Sequence, residues 1–243
     1  MVRGMEPKPG EGYVVSVCRA VIFDMDGTLL NSLQDLADSM NRVLRQAGYP
    51  DHPLDAYRYY VGDGVEELAR RALPEPNRDV QTVARIKRAM QEEYAHHWAD
   101  RTGPYPGITA LLQTLSERRV PMAILSNKPD LFTRQMGEHF FRRWHFDAIL
   151  GASDSTPRKP DPEGALAICR QWACRSEEVL YAGDTGTDML TARRAGMFAV
   201  GVLWGFRDRR ELLENGAQAL VRKPRELLRF LADTEAPRRP ERG

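Results

Sequence analysis

Cysteine is scarce in the 243-residue chain, at three residues: Cys18, Cys169 and Cys174. A number so low and odd argues against a disulfide framework and fits a reducing compartment, so a cytoplasmic location is expected. Cys169 and Cys174 have no Cys or His neighbours at zinc spacing and read as packing residues. The adjacent His96 and His97 would point in different directions on a helix and make a poor metal pair. Long apolar runs are also missing. None approaches the roughly 20 residues that span a bilayer, and the N-terminal MVRGMEPKPGEGYVVSVC lacks the uninterrupted apolar stretch of a signal peptide. Net charge is almost absent, at +1. The basic pairs, such as Arg142-Arg143 and Arg193-Arg194, are short and scattered, so charge gives no case for nucleic acid or a membrane surface as partner. No internal repeat is found.

What is present is an ordinary globular composition, 42% hydrophobic and 28% charged. The length suits one large domain, or a core domain carrying a smaller insert. Residues 1–17 and 234–243, rich in Gly, Pro and charge, read as disordered. Ala20 to Phe23 is an apolar strand. From about residue 105, short apolar runs such as VPMAILS, FDAILG, EVLYAG and MFAVGVLWG alternate with segments of helical spacing. These include ITALLQTLSERR and a closing PRELLRFLAD. That alternation predicts an α/β fold, a Rossmann-like parallel sheet with helices on both faces. Residues 33–103 break the pattern. Leu33, Leu36, Ala37, Met40, Val43 and Leu44 fall at helical spacing and no strand intervenes. An all-helical block inserted after the first strand is expected there, with the core formed by 1–32 and 104–243.

The polar residues fall where the strands end. The first strand runs into Asp24-Met25-Asp26-Gly27, the strand MAIL into Ser126-Asn127-Lys128, and VLYAG into Asp184, with Asp188 four residues on. Lys159 sits in the proline-bracketed TPRKPDP, just before a helix. Each segment alone also reads as turn or capping chemistry. All four in succession point instead to one site, because ligands of open parallel sheets bind outside the carboxyl ends of the strands. Several carboxylates near one point repel unless a cation lies among them, and an all-oxygen set suits Mg²⁺. Ser126, Asn127 and Lys159 offer donors for an anion's oxygens. Together they describe phosphoryl transfer. Asp24 is placed to attack phosphorus, and Asp26 to protonate the leaving alkoxide and later deprotonate water.

DMDGTLLNS, ILSNK, RKPDP and GDTGTDMLTARRAGM resemble, in order, the four motifs of the haloacid dehalogenase-like hydrolase superfamily. The resemblance covers about Val21 to Val221. It implies a Rossmann-like core, a mobile helical cap of the C1 type and Mg²⁺. It gives the metal to Asp24, the backbone carbonyl of Asp26 and Asp184, with Asp188 in its surroundings, and phosphate binding to Ser126 and Lys159. Within the insert, YRYYVGDG is similar to a cap loop of phosphoglycolate phosphatases, through Arg58, Val61, Gly62 and Gly64. This implies a role in substrate choice for Arg58, Gly62 and Gly64. Many relatives have Asp where this chain has Asn31. The expected function is Mg²⁺-dependent hydrolysis of a small phosphate monoester by a monomer or homodimer. A phosphomutase of the β-phosphoglucomutase type, or a phosphatase for a sugar phosphate or nucleotide, is the alternative. A catalytically silent binding protein is disfavoured because Asp24, Asp26, Ser126, Lys159 and Asp184 are all intact. The segments 31–33 and 101–107 are expected hinges.

Overall fold

In the computed structural model, residues 18–232 are described. The expectations for 1–17 and 234–243 lie outside them. Strand β1 (Ala20–Phe23) leads into a tight turn and the two-residue β2 (Leu30–Asn31). Four helices follow: α1 (Leu33–Gln46), α2 (Leu54–Tyr60), α3 (Val65–Ala72) and α4 (Val80–His97). The chain returns through β3 (Gly103–Pro104), which pairs antiparallel with β2. Then come α5 (Ile108–Glu117), β4 (Met122–Pro129), α6 (Asp130–Phe141), β5 (Ala148–Ala152) and α7 (Glu163–Trp172). The last elements are β6 (Val179–Gly183), α8 (Gly186–Arg194), β7 (Phe198–Val202), α9 (Arg209–Glu214) and β8 (Ala219–Val221). The segment expected as a closing helix is a 3₁₀ helix, Pro224–Phe230. Pro224 lacks an N–H, and Leu227 and Phe230, three apart, are both buried, which suits the three-residue turn.

The sheet is parallel, in the order β5-β4-β1-β6-β7-β8. Its two faces bury different residues of the same strand, as a period of two requires. Val21 and Phe23 pack with Ile108, Leu112, Met136 and Phe141 of α5 and α6. Ala20 and Ile22 pack with Ala165, Ile168, Met189 and Leu212 of α7, α8 and α9. Helices therefore cover both faces. The four helices between β2 and β3 bury a separate set that includes Leu36, Met40, Leu44, Leu68, Ile86 and Met90. No described helix is long and apolar enough to cross a membrane.

Strand β1 is central, with β4 on one side and β6 on the other. The chain builds outward to β5, then returns across β1 to build the other half. That reversal is the topological switch point, where the strand ends open a crevice.

Candidate active site

Beyond Phe23 the chain leaves the sheet in a compact turn. The Leu30 carbonyl accepts from Gly27 N, and the Met25 carbonyl accepts from the N–H groups of Leu29 and Leu30. Met25 is fully buried in the core, while Asp24 and Asp26, on either side of it, keep separate company. Asp24 Oδ1 accepts from Lys159 Nζ at 2.6 Å. Asp26 accepts from Ser32 Oγ at 2.6 Å and from Lys128 Nζ at 2.9 Å. Gly27 holds φ +87°, and a Cβ there would stand 2.2 Å from Asp184 Oδ2. Only glycine lets the turn pass so close.

At the end of β6, Asp184 is fully buried and accepts from Thr28 Oγ1 at 3.0 Å and Phe206 N at 2.7 Å. Asp188 belongs to the capping box that starts α8: its Oδ2 accepts from the N–H and hydroxyl of Thr185. Its Oδ1 accepts from Lys159 Nζ at 2.7 Å. One oxygen each of Asp24, Asp184 and Asp188 fall within 4.8 Å of one another. Asp188, expected in the surroundings, is thus a member of the acidic cluster, whereas the Asp26 side chain is paired elsewhere.

Burial raises the Asp24 carboxyl well above its ordinary value, and the neighbouring Asp188 pushes it further, against the pull of Lys159. Burial and Asp188 likewise raise Asp184, to about 7. Lys159 would be lowered by burial, but Asp188 and Asp24 outweigh that and hold it well above the lysine value. One ammonium among three carboxylates leaves two negative charges to balance. All-oxygen donors with that charge fit a hard divalent cation, and Asp24, Asp184 and Asp188 are the side chains that would hold it.

Strand β4 supplies the opposite wall. Its register against β5 shifts between Leu125 and Pro129, and that irregularity re-aims the side chains of Ser126, Asn127 and Lys128. Ser126 Oγ accepts from Lys128 N at 3.2 Å, which leaves its proton to donate. The Asn127 amide bonds the main chain of Lys159 on both sides, accepting from N at 2.7 Å and donating to O at 3.1 Å. It also donates to Gly62 O at 3.1 Å. Asn127 therefore sets the Lys159 loop, and its side chain is already occupied.

Arg58 does not face an open pocket. It donates to the carbonyls of Gly205 and Phe206, at 2.8 and 3.2 Å. Arg207, from the same segment, donates back to Val61 O at 2.8 Å. Gly62 and Gly64, both at positive φ, lie against Thr185 and Arg158 respectively. Sequence reasoning passed over Lys128, Tyr94 and Arg207. Lys128 stood in the polar run at a strand end, which was its signal; Tyr94 and Arg207 gave none. Between the helices and the strand ends is a cavity of ≈ 60 Å³ whose lining includes Asp24, Asp26, Ser126, Lys128, Gly62 and Met90. A water centre needs roughly 10–15 Å³, so the space suits a small ligand.

The family model described as haloacid dehalogenase-like hydrolase matches residues 21–202. The chain belongs to the haloacid dehalogenase-like hydrolases. Relatives within this hydrolase family include a phosphoglycolate phosphatase of Pseudomonas putida, 32% identical over 88% of this chain and 80% of that protein. Another, from Chromobacterium violaceum, bears the same name and is 33% identical over 78% and 87%. A solved structure from Lactobacillus delbrueckii subsp. bulgaricus, titled as that of a "putative phosphoglycolate phosphatase", superposes with a TM-score of 0.81. It is 30% identical, covering 86% of this chain and 96% of that one.

Proposed function

We propose that the chain hydrolyses a small, phosphoglycolate-like phosphate monoester with Mg²⁺, through an aspartyl-phosphate on Asp24. The observation that carries this reading is the convergence of Lys159 on both Asp24 and Asp188 beside Asp184, at the switch point of the sheet. Lys159 holds Asp24 by Oδ1, so Oδ2 is the oxygen that attacks phosphorus. Ser126 and Lys159 receive the phosphoryl oxygens. Asp26, held from two sides by Ser32 and Lys128, gives its proton to the departing alkoxide and later takes one from the water that opens the acyl phosphate. Bound Mg²⁺ would supply charge stabilisation to the phosphoryl group. The relatives named phosphoglycolate phosphatase and the small cavity both support a short leaving group rather than a sugar or nucleotide. In this reading the four helices between β2 and β3 are the cap, and the structure is its closed form.

The test is phosphate release from a panel of phosphoglycolate, sugar phosphates and nucleotides, with Mg²⁺ or chelator, beside Asp24→Asn. Release that needs Mg²⁺, favours phosphoglycolate and disappears in Asp24→Asn is the expected result. A folded, Mg²⁺-supplied protein inert on every ester would refute it.

A further inference from the structure

Of the side chains lining the cavity, Lys128 alone is cationic. Most of the others are apolar, among them Leu36, Val65, Leu68, Met90 and Phe132. The Lys128 ammonium is nearly inaccessible, with 5% of its side chain exposed. It donates to Asp26 Oδ2 at 2.9 Å, from the turn after β1, and to Tyr94 Oη at 3.2 Å, from α4. Its Nζ also lies 4.6 Å from the centre of the Tyr94 ring. Burial would push the ammonium down, but Asp26 and the Tyr94 hydroxyl outweigh burial and keep it charged. An ammonium has three N–H groups. Two have acceptors, and no third acceptor exists among the described residues.

We propose that Lys128 is a specificity-determining residue, whose third N–H takes a carboxylate oxygen of the leaving alcohol while its bond to Asp26 positions that acid. This rests on the phosphatase reading above. The leaving oxygen must sit within reach of Asp26. A carboxylate on the adjoining carbon then falls beside the ammonium that Asp26 itself accepts from, and the short carbon chain meets the apolar lining. A polyhydroxylated leaving group would face Leu68, Met90 and Phe132 with unpaired hydroxyls, which disfavours it. Arg58 does not line this cavity; it is turned to Gly205 O and Phe206 O, so it does not meet the carboxylate in this arrangement.

The two roles separate kinetically. A substrate carboxylate is held alike in ground and transition states, so its loss raises KM, whereas a displaced Asp26 lowers kcat. The experiment compares phosphoglycolate with ethyl phosphate, which lacks the carboxylate, in wild type and Lys128→Met. Lys128→Met should lower kcat for both esters. With phosphoglycolate it should also raise KM by roughly 10- to 100-fold, the worth of a hydrogen bond to a charged group. If removing the buried cation prevents folding, Lys128→Gln, which keeps a donor for Asp26, carries the same comparison. Equal losses on the two esters would overturn this inference and leave the phosphatase reading standing. Release from neither ester by wild type would overturn both.

Discussion

Three carboxylates buried around one point set the terms for each neighbouring residue. Lys159 offsets part of their charge, Thr28 and Phe206 N each take an oxygen of Asp184, and the backbone at Gly27 passes close enough to leave no room for a methyl group. Gly27→Ala would require both a left-handed turn with a side chain and a displaced Asp184. We expect it to lower kcat/KM by about 100-fold or more, with a stability loss of about 1–3 kcal/mol, measured by phosphate release and thermal unfolding. A second residue, Asp63, works between elements: it accepts from Thr187 Oγ1 at 2.7 Å and from Arg71 at 2.6 Å. Burial would raise its carboxyl, but those two partners outweigh burial and hold it below 3.8. A depressed folded value means the contact stabilises above pH 3.8 and fades as pH falls through the lower folded value. The melting difference between wild type and Asp63→Asn should therefore be largest near neutrality and shrink below pH 3.8. A difference that grew on acidification would contradict the assignment.

Among the elements, the ones that read clearly in sequence were those with a strong internal period. Strand β1 and the helix α5, with Ile108, Leu111, Leu112 and Leu115 on one buried face, are local patterns. The β2–β3 pair was not visible, since two residues carry no period and the pairing joins Leu30 to Pro104 across the whole helical block. The motif acids were legible because strand ends converge by topology. Lys128 was seen but not assigned, because its partners, Asp26 and Tyr94, come from distant segments. Arg58 matched a family pattern, yet its contacts depend on where residues 205 and 206 return. Asp35 is a further case. It is buried near the start of α1 and accepts from Arg101 N, Thr102 N and Thr102 Oγ1. This ties α1 to the segment entering β3. Asp35→Ala would leave the Thr102 N–H and hydroxyl buried without acceptors, and we expect a loss of about 3 kcal/mol in urea unfolding. A change under about 0.5 kcal/mol would show that water replaces the carboxylate freely.

Across the whole molecule, the helical block and the sheet ends meet through both apolar and polar contacts: Phe206 is buried in the helical cluster, and Tyr94 packs edge-on against Phe132. Arg58 and Arg207 reach past each other to opposite backbones, Asn127 holds Gly62 O, Thr187 holds Asp63, and Lys128 holds Tyr94. Each such hydrogen bond nets only about 1 kcal/mol against water, so, in the reading of the helices as a cap, they can lift without unfolding either core. Among the described residues, the only strand pairing between the two crossings is two residues long, which gives little resistance to rotation. We propose that the helices lift to admit the ester, since Asp24 is only 6% exposed and Lys159 5%. A lock should therefore stop turnover without touching the chemistry. Asp63 Oδ1 and Thr187 Oγ1 are 2.7 Å apart, so Asp63→Cys with Thr187→Cys puts one cysteine on each side of this contact, and formation of the disulfide is verified by mass. Oxidised with a mild thiol oxidant, this variant should lose at least about tenfold in kcat relative to its own reduced form. Dithiothreitol should restore the activity, while the wild type, treated alike, stays unchanged. Full turnover in the verified crosslinked form would mean that substrate enters and product leaves with the helices down, and that the expected hinge segments, 31–33 and 101–107, have no part in the cycle.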